Sequence, residues 1–218
     1  MVSGAVPWYG EPIGDQDFPG ELLELPVLEV ARKLLGFRLI STIGGKMTAG
    51  VIVETEAYEG SQDPASHVAT IRGVTTRNRA MFGPAGYAYV YRSYGIHWCL
   101  NMVTGSPGVP QAVLIRGIEP LEGERHMVER RGAAKLLAAG PGRLCEAFGI
   151  TGELYGHDLR RDPLVLKPGW SVNDKAVGIS GRVGVTAAAD WPYRFYVRGS
   201  SGVSRPDGWG SIEEFVTG

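Results

Sequence analysis

Two carboxylates, Glu54 and Glu56, stand two residues apart in the run Val51-Ile-Val-Glu-Thr-Glu-Ala-Tyr58. The run reads as a β-strand, whose side chains alternate with period two, so both acids project from one face. Its first half is apolar, which brings the acids in at the edge of a core. A carboxylate there needs a charged partner, a solvated pocket or a catalytic task. Activating water beside a sugar carbon is one such task. Two residues of strand span roughly 6.5 Å, within the ~5–9.5 Å spread of paired-carboxylate glycosidases. Their basic surroundings do not suit a neutral glycan. The other arrangement is one acid paired to an arginine and one catalytic, and the residues alone leave that choice open.

Those surroundings are specific. Pro64 to Ile118 holds Arg72, Arg77, Arg79, Arg92 and Arg116 and no Asp or Glu. Six acids and no base precede it between Met1 and Val30, and three more acids end the chain. The formal net charge of −1 therefore hides a middle segment of about +8, a field that can attract a polyanion. Tyr94 sits at a predicted hairpin tip, where turn chemistry favours Asn, Asp or Gly. An aromatic there either folds back onto the core or enters a partner, as wedges that fill a DNA stack do. Tyr87, Tyr89 and Tyr91 alternate on one strand face, a pattern that suits a core. Of the four histidines, His67 follows the acidic strand and His97 adjoins Trp98, while His126 and His157 read as surface residues.

Several chemistries are excluded. No HExxH, no H-x-E with a following PCxxC and no His/Cys cluster is present, so the chain predicts no metal and no zinc chemistry. Gly140-Pro-Gly142 lacks the layouts of nucleotide-binding loops, and no cofactor is expected. A helix N-terminus there could seat a phosphate, although a helix–helix turn explains the segment as well. Cys99 and Cys145 are too few and too far apart for a disulfide framework and read as buried small hydrophobes. No lysine occurs between Lys46 and Lys135, which disfavours a Schiff-base mechanism. No apolar run approaches the ~20 residues that span a bilayer, and the N-terminus lacks a signal or transit layout. A cytoplasmic protein with no membrane contact is expected.

The elements that must position these residues can be read from pattern. Residues 1–20 form an acidic arm. Pro26 opens a helix whose apolar positions, Val27, Val30, Ala31, Leu34 and Leu35, repeat with helical spacing, and Gly36 ends it. Phe37–Ile43 and Lys46–Tyr58 form a hairpin through Gly44-Gly45. Residues 59–86 form an irregular segment, long enough to suggest function. Tyr87–Tyr91 and Ile96–Val103 form a second hairpin, and Gln111–Arg116 another strand. A helix is predicted over Pro120–Arg131, helical segments on both sides of Gly140–Gly142, and short strands at Leu164–Leu166, Arg182–Val185 and Arg194–Val197. The order predicts one α+β domain over residues 21–204, with a mostly antiparallel curved sheet, a protruding hairpin and surrounding helices. Residues 205–218 form a tail.

The segments Val53-Glu-Thr-Glu-Ala-Tyr58, His67, Thr75-Thr-Arg-Asn-Arg79, Met81-Phe82, Tyr89-Val-Tyr91, Tyr94-Gly95, Asn101 and Leu114-Ile-Arg-Gly-Ile-Glu-Pro-Leu-Glu-Gly123 together resemble the alkyladenine DNA glycosylase family. Gly140–Cys145 and Arg194–Ser200 extend the likeness, which runs from about Leu22 to Ser204. The resemblance implies hydrolytic removal of damaged purines from double-stranded DNA by a monomer. It implies Glu56 as general base, with Arg116 near the reacting nucleotide and Glu54 in support. It places Tyr58, His67, Tyr91 and Met81 around a flipped base, and Asn101 against the exocyclic amine of guanine. Tyr94 would fill the vacated stack, and Thr75, Arg77 and Arg79 would face the DNA backbone. The chain departs from vertebrate members at His97-Trp98 and at Thr76. A module that binds distorted DNA without cleaving it shares the basic loop but has no use for an intact Glu56.

Overall fold

The computed structural model describes residues 9–13, 18–70 and 73–205. The C-terminal tail from residue 206 on, Arg72 and most of the acidic arm lie outside the described residues. What is described of the arm includes a strand, β1 (Tyr9–Pro12), and a helical turn, α1 (Gly20–Leu23), follows it. Helix α2 (Val27–Lys33) starts where expected, with Pro26 as its N-cap, and buries Val27, Val30 and Ala31. Gly36 adopts φ 91°, and a Cβ there would meet the Trp170 carbonyl oxygen at 1.9 Å. Only glycine fits that turn.

Strands β2 (Arg38–Ser41) and β3 (Thr48–Tyr58) form the first hairpin. Short helix α3 (His67–Thr70) and a 3₁₀ turn at Arg79–Phe82 are the regular pieces of the long loop. Strands β4 (Ala88–Ser93) and β5 (His97–Thr104) form the second hairpin, followed by β6 (Gln111–Glu122). Helices α4 (Glu124–Arg131) and α5 (Pro141–Phe148) come next, then β7 (Leu164–Lys167), β8 (Trp170–Val172), β9 (Val177–Ser180) and β10 (Arg194–Val197). The main sheet is antiparallel and runs β4-β5-β6-β3-β10-β9, with β2 on β3 and β7 on β2. β1 pairs with β8 alone. The α+β class predicted from element order holds.

Three elements differ from expectation. The helix expected from Pro120 begins at Glu124, because Pro120 to Glu122 continue β6 beside β3. Pro120 is tolerated because β5 pairs only with Gln111 to Leu114 of β6, so the missing N–H removes no bond on that side. No helix abuts Gly140; between α4 and Gly140 the chain is irregular. Arg182–Val185 is a loop, and the strand lies earlier, at β9.

β3 is the hub, since it is long enough to pair with β6 along one edge and with β2 and then β10 along the other. Thr55 donates from Oγ1 to the Ala31 carbonyl at 2.7 Å, which turns that face of β3 to α2. Glu54 and Glu56 therefore face the opposite side. Leu39, Ile52, Ile115, Ile118 and Phe148 are fully buried in the core around it, each worth about 1.5–3 kcal/mol of apolar burial.

Candidate active site

The strand register breaks at the acids. Ile52 pairs with Ile118, Glu54 with Gly117 and Thr55 with Ile115, so Val53 on β3 and Arg116 on β6 are each left over. Such irregularities re-aim side chains. Here the break sets Arg116 between the two carboxylates. Its Nε lies 3.2 Å from Glu54 Oε1 and 3.4 Å from Glu56 Oε1. All three side chains are buried, with both glutamates at 0 % exposure. Burial alone would lower the Arg116 pKa, but Glu56 and Glu54 outweigh it and raise it, so the guanidinium stays charged.

The two acids have different partners. Glu54 is saturated. Arg194 Nε donates to it at 2.7 Å, the Ser204 amide at 2.6 Å and the Ser204 hydroxyl at 2.8 Å, besides Arg116. Burial pushes its pKa up, yet Arg116, Arg194 and the Ser204 amide together bring it below the ordinary 4.5. Gly117 admits this arrangement, for a Cβ there would stand 2.3 Å from the Gly202 carbonyl oxygen. Glu54 thus ties the C-terminal segment to the sheet.

Glu56 is held more loosely. Its Oε1 accepts from the Val183 amide at 2.7 Å, and its Oε2 from the Tyr58 hydroxyl at 3.0 Å and Arg116 Nη1 at 3.4 Å. A carboxylate offers about four acceptor positions, and both arginine contacts to Glu56 are long. The Tyr58 pKa is raised by burial and by the Glu56 charge, which keeps its proton available for that bond.

Tyr58, Arg116 and Val183 are also walls of a cavity of about 560 Å³, with Glu56 directly behind them, a size ordinary for a small-molecule site. The cavity is aromatic. His67 packs edge-on to Tyr91 at 4.4 Å between ring centres, and Tyr91 lies 5.4 Å from Tyr89. His67 Nδ1 is 2.9 Å from the Tyr89 hydroxyl. Burial, then Arg77, lowers the His67 pKa below 6.5, so its ring is neutral at pH 7. Burial pushes the Tyr89 hydroxyl up to about 12. Asn101 and Met81 are buried in the cavity wall, and the Asn101 amide donates to the Tyr89 carbonyl at 3.1 Å.

At the mouth stands Tyr94. It is 87 % exposed, with φ 50°, and Gly95 follows at φ 69°. The Ile96 amide closes the turn on the Ser93 carbonyl at 3.0 Å. Positive φ at both central positions matches the right-handed twist of the hairpin but strains a tyrosine by about 1–2 kcal/mol. Ile96 beside it is 69 % exposed. A strained aromatic kept in solvent is a feature of functional sites.

The structure brings together Glu56, Arg116, Tyr58, His67, Tyr91, Asn101, Met81, Tyr94 and Arg77. Thr75 and Arg79 do not line the cavity. Thr75 is spent on its own turn, where its amide and hydroxyl bond buried Asn78, and Arg79 is exposed beyond it. Sequence reasoning missed Tyr89, taken as core, and the Asp63–Arg182 pair. That pair is fully buried and two-pronged, with Arg182 Nη2 to Asp63 Oδ1 at 2.8 Å. Arg182 also donates to the Ala57 carbonyl and lies 4.8 Å from the Tyr58 ring. Asp63 is the last acid before the acid-free stretch, which was the available signal. The Val183 amide carries none, because any residue supplies one.

A buried carboxylate beside an aromatic cavity, with an arginine and an exposed tyrosine at its rim, points to a class, that of proteins acting on nucleic-acid bases. The family model for methylpurine-DNA glycosylase matches residues 21–201. A protein of Agrobacterium fabrum, provisionally named 3-methyladenine DNA glycosylase, is 48 % identical over 193 residues, 87 % of this chain and 93 % of that one. One from Methanoculleus marisnigri with the same name is 47 % identical, over 86 % of this chain and 98 % of its own. The chain belongs to the methylpurine-DNA glycosylase family, a family of DNA-repair enzymes. Among the described residues no helix is long and apolar enough to cross a membrane.

Proposed function

We propose that residues 21–204 act as a monomeric, monofunctional DNA glycosylase on duplex DNA in the cytoplasm. The enzyme turns a damaged purine into the aromatic cavity and hydrolyses its N-glycosidic bond. The substrates are 3-methyladenine, 7-methylguanine, hypoxanthine and ethenoadenine. The observation that carries this reading is Glu56, a buried carboxylate set behind the wall of a purine-sized aromatic cavity and held by long contacts on its arginine side. A water exchanging for one of those 3.4 Å contacts gives its proton to Glu56 as its oxygen bonds to C1′. The C1′–N bond breaks and the base leaves with the bonding pair, neutral if it was alkylated and cationic, and as an anion that takes up a proton from solvent if it was neutral, as hypoxanthine and ethenoadenine are.

Arg116 holds the carboxylate in place and supplies positive charge beside the reacting nucleotide. Tyr58, His67, Tyr91 and Met81 enclose the base, and neutral His67 does not repel a cationic one. Asn101 crowds an exocyclic amine. Tyr94 fills the vacated stack, with Arg77 on the backbone nearby and Thr75 and Arg79 on the flanking loop. Among the described residues no lysine lines the cavity, which favours water over an amine nucleophile.

The test is release of free base from duplexes carrying hypoxanthine or 3-methyladenine. Wild-type protein should release base, and Glu56→Gln should bind the lesion duplex and release none. Failure to release any alkylated or deaminated purine would overturn the reading, and turnover by Glu56→Gln would remove Glu56 from the base role.

A further inference from the structure

The second hairpin has two working faces, and the cavity described above uses one. Along β4, Tyr89, Tyr91 and Ser93 turn to that cavity, as do Cys99 and Asn101 of β5. The alternate positions, Val90, Arg92 and Trp98, line a separate open groove of about 600 Å³ on the other side. Arg77, Tyr91 and Tyr94 border both spaces, so the wall that carries the Tyr94 tip divides them. This is the period-two logic of a strand applied to a hairpin wetted on both faces.

The groove is built for an anion next to a planar group. Arg92 and Trp98 are direct cross-strand partners, and the Arg92 guanidinium lies 4.9 Å from the Trp98 ring centre. That contact fixes an exposed arginine in one plane. Trp98 is itself seated on Gly152, where a Cβ would stand 2.7 Å from the ring. Arg77 and Thr76 complete the rim, and among the described residues no carboxylate lines it. No salt bridge is formed by Arg77 or Arg92 among the described residues.

The geometry points to this groove as the seat of the DNA strand opposite the lesion. Arg92 and Arg77 contact its phosphates beside the unpaired nucleotide, and the Arg92–Trp98 stack keeps the guanidinium flat. The inference rests on the glycosylase reading and extends it. With the lesion strand at the mouth of the first cavity and Tyr94 in the stack, the nucleotide that lost its partner lies beyond the tip. The groove is what the protein offers there. Arg92 is a DNA-contacting residue and Trp98 a positioning residue in this scheme.

The test is binding to a duplex with a tetrahydrofuran abasic analogue, which requires no chemistry. Three versions are compared: unmodified, with neutral methylphosphonates in the opposite strand across from the analogue, and with the same linkages in the analogue strand. Neutralising the opposite strand should weaken wild-type binding by about fivefold or more, and that of Arg92→Ala by about half as much on a logarithmic scale, because one of the two arginine contacts is already gone and Arg77 remains. Trp98→Leu should behave between the two, and Arg92→Lys should recover part of the phosphate sensitivity. Equal sensitivity of wild type and Arg92→Ala would overturn the assignment. So would an Arg92-dependent loss confined to methylphosphonates in the analogue strand. Because the readout is binding, a protein that released no base would refute the glycosylase reading separately.

Discussion

Asp63→Asn tests the architecture behind Glu56, the carboxylate proposed as the base. In the wild type, Arg182 and Asp63 are both at 0 % side-chain exposure and meet through two hydrogen bonds. The substitution removes the countercharge and leaves one acceptor oxygen. What remains around the guanidinium is the Ala57 carbonyl at 3.1 Å, the Ala188 carbonyl at 3.4 Å and rings that include Tyr58 and Tyr193 at 4.8 and 5.1 Å. Breaking a buried pair on one side costs about 3–5 kcal/mol, and these residual contacts put Asp63→Asn near the lower end, about 3 kcal/mol. With a urea slope of about 2–3 kcal/mol/M, the midpoint should fall by roughly 1 M. The pair Asp63→Leu with Arg182→Met should recover most of it, since an apolar replacement removes both desolvation costs. The same pair anchors the loop whose Val183 amide holds Glu56. Excision by the folded Asp63→Asn protein should therefore fall at saturating DNA, beyond what the unfolded fraction explains. A stability loss below about 1 kcal/mol would refute the assignment of Asp63 as the required countercharge.

Glu54→Gln should destabilise by about 3 kcal/mol, because Arg194 at 0 % exposure loses its carboxylate. Glu56→Gln should cost less, since Arg116 keeps Glu54; comparable losses in denaturant melts would contradict this division. Stability should fall on acidification in two windows. The lowered His67 pKa makes the unfolded chain bind the extra proton as pH drops below 6.5, and the lowered Glu54 pKa does the same below 4.5. In a pH series of melts, His67→Gln should flatten the upper window only. Tyr94→Gly should leave melting unchanged or raise stability by up to ~1 kcal/mol by relieving the positive φ. It should weaken lesion-duplex binding by up to a few kcal/mol; parallel losses of stability and binding would return Tyr94 to a structural role.

Local pattern made the hub of this protein legible. Alternation in Val51–Tyr58 placed both acids on one face, and the structure keeps them there across the register shift. The hairpin tip at Tyr94 was legible because the turn asks for positive φ and the residue is wrong for it. What pattern could not show was which side chains complete the acids' surroundings. Arg194 and Ser204 reach Glu54 from 140 and 150 residues away, and no local period reports such a meeting. Arg182–Val185 misled for a related reason. Its Arg-Val-Gly-Val sequence has strand propensity, but the Val183 amide is spent on Glu56 and the Val183 carbonyl on Arg116 rather than on a ladder. Tyr89 alternates as a core residue does, and it is 2 % exposed; its hydroxyl nonetheless faces the cavity through His67. Burial and function coincide at that residue, and periodicity reports burial alone.

The two acids show how one arginine can serve unlike carboxylates. Arg116 is nearly equidistant from both, at 3.2 and 3.4 Å, so its charge does not by itself separate them. The separation comes from the remaining partners. Glu54 has two further donors within 2.7 Å, one of them a buried cation and the other the Ser204 amide. Freeing one of its oxygens would strand Arg194 or release the C-terminal segment. Glu56 meets a tyrosine hydroxyl, a backbone amide and the far arm of Arg116, and the last of these can let go while Arg116 stays paired to Glu54. The saturated acid thus keeps the arginine in place whether or not Glu56 keeps its own contact to it. In the mechanism we propose, Glu54 keeps Arg116 paired while Glu56 gives up a contact, a division that needs both acids on one strand face.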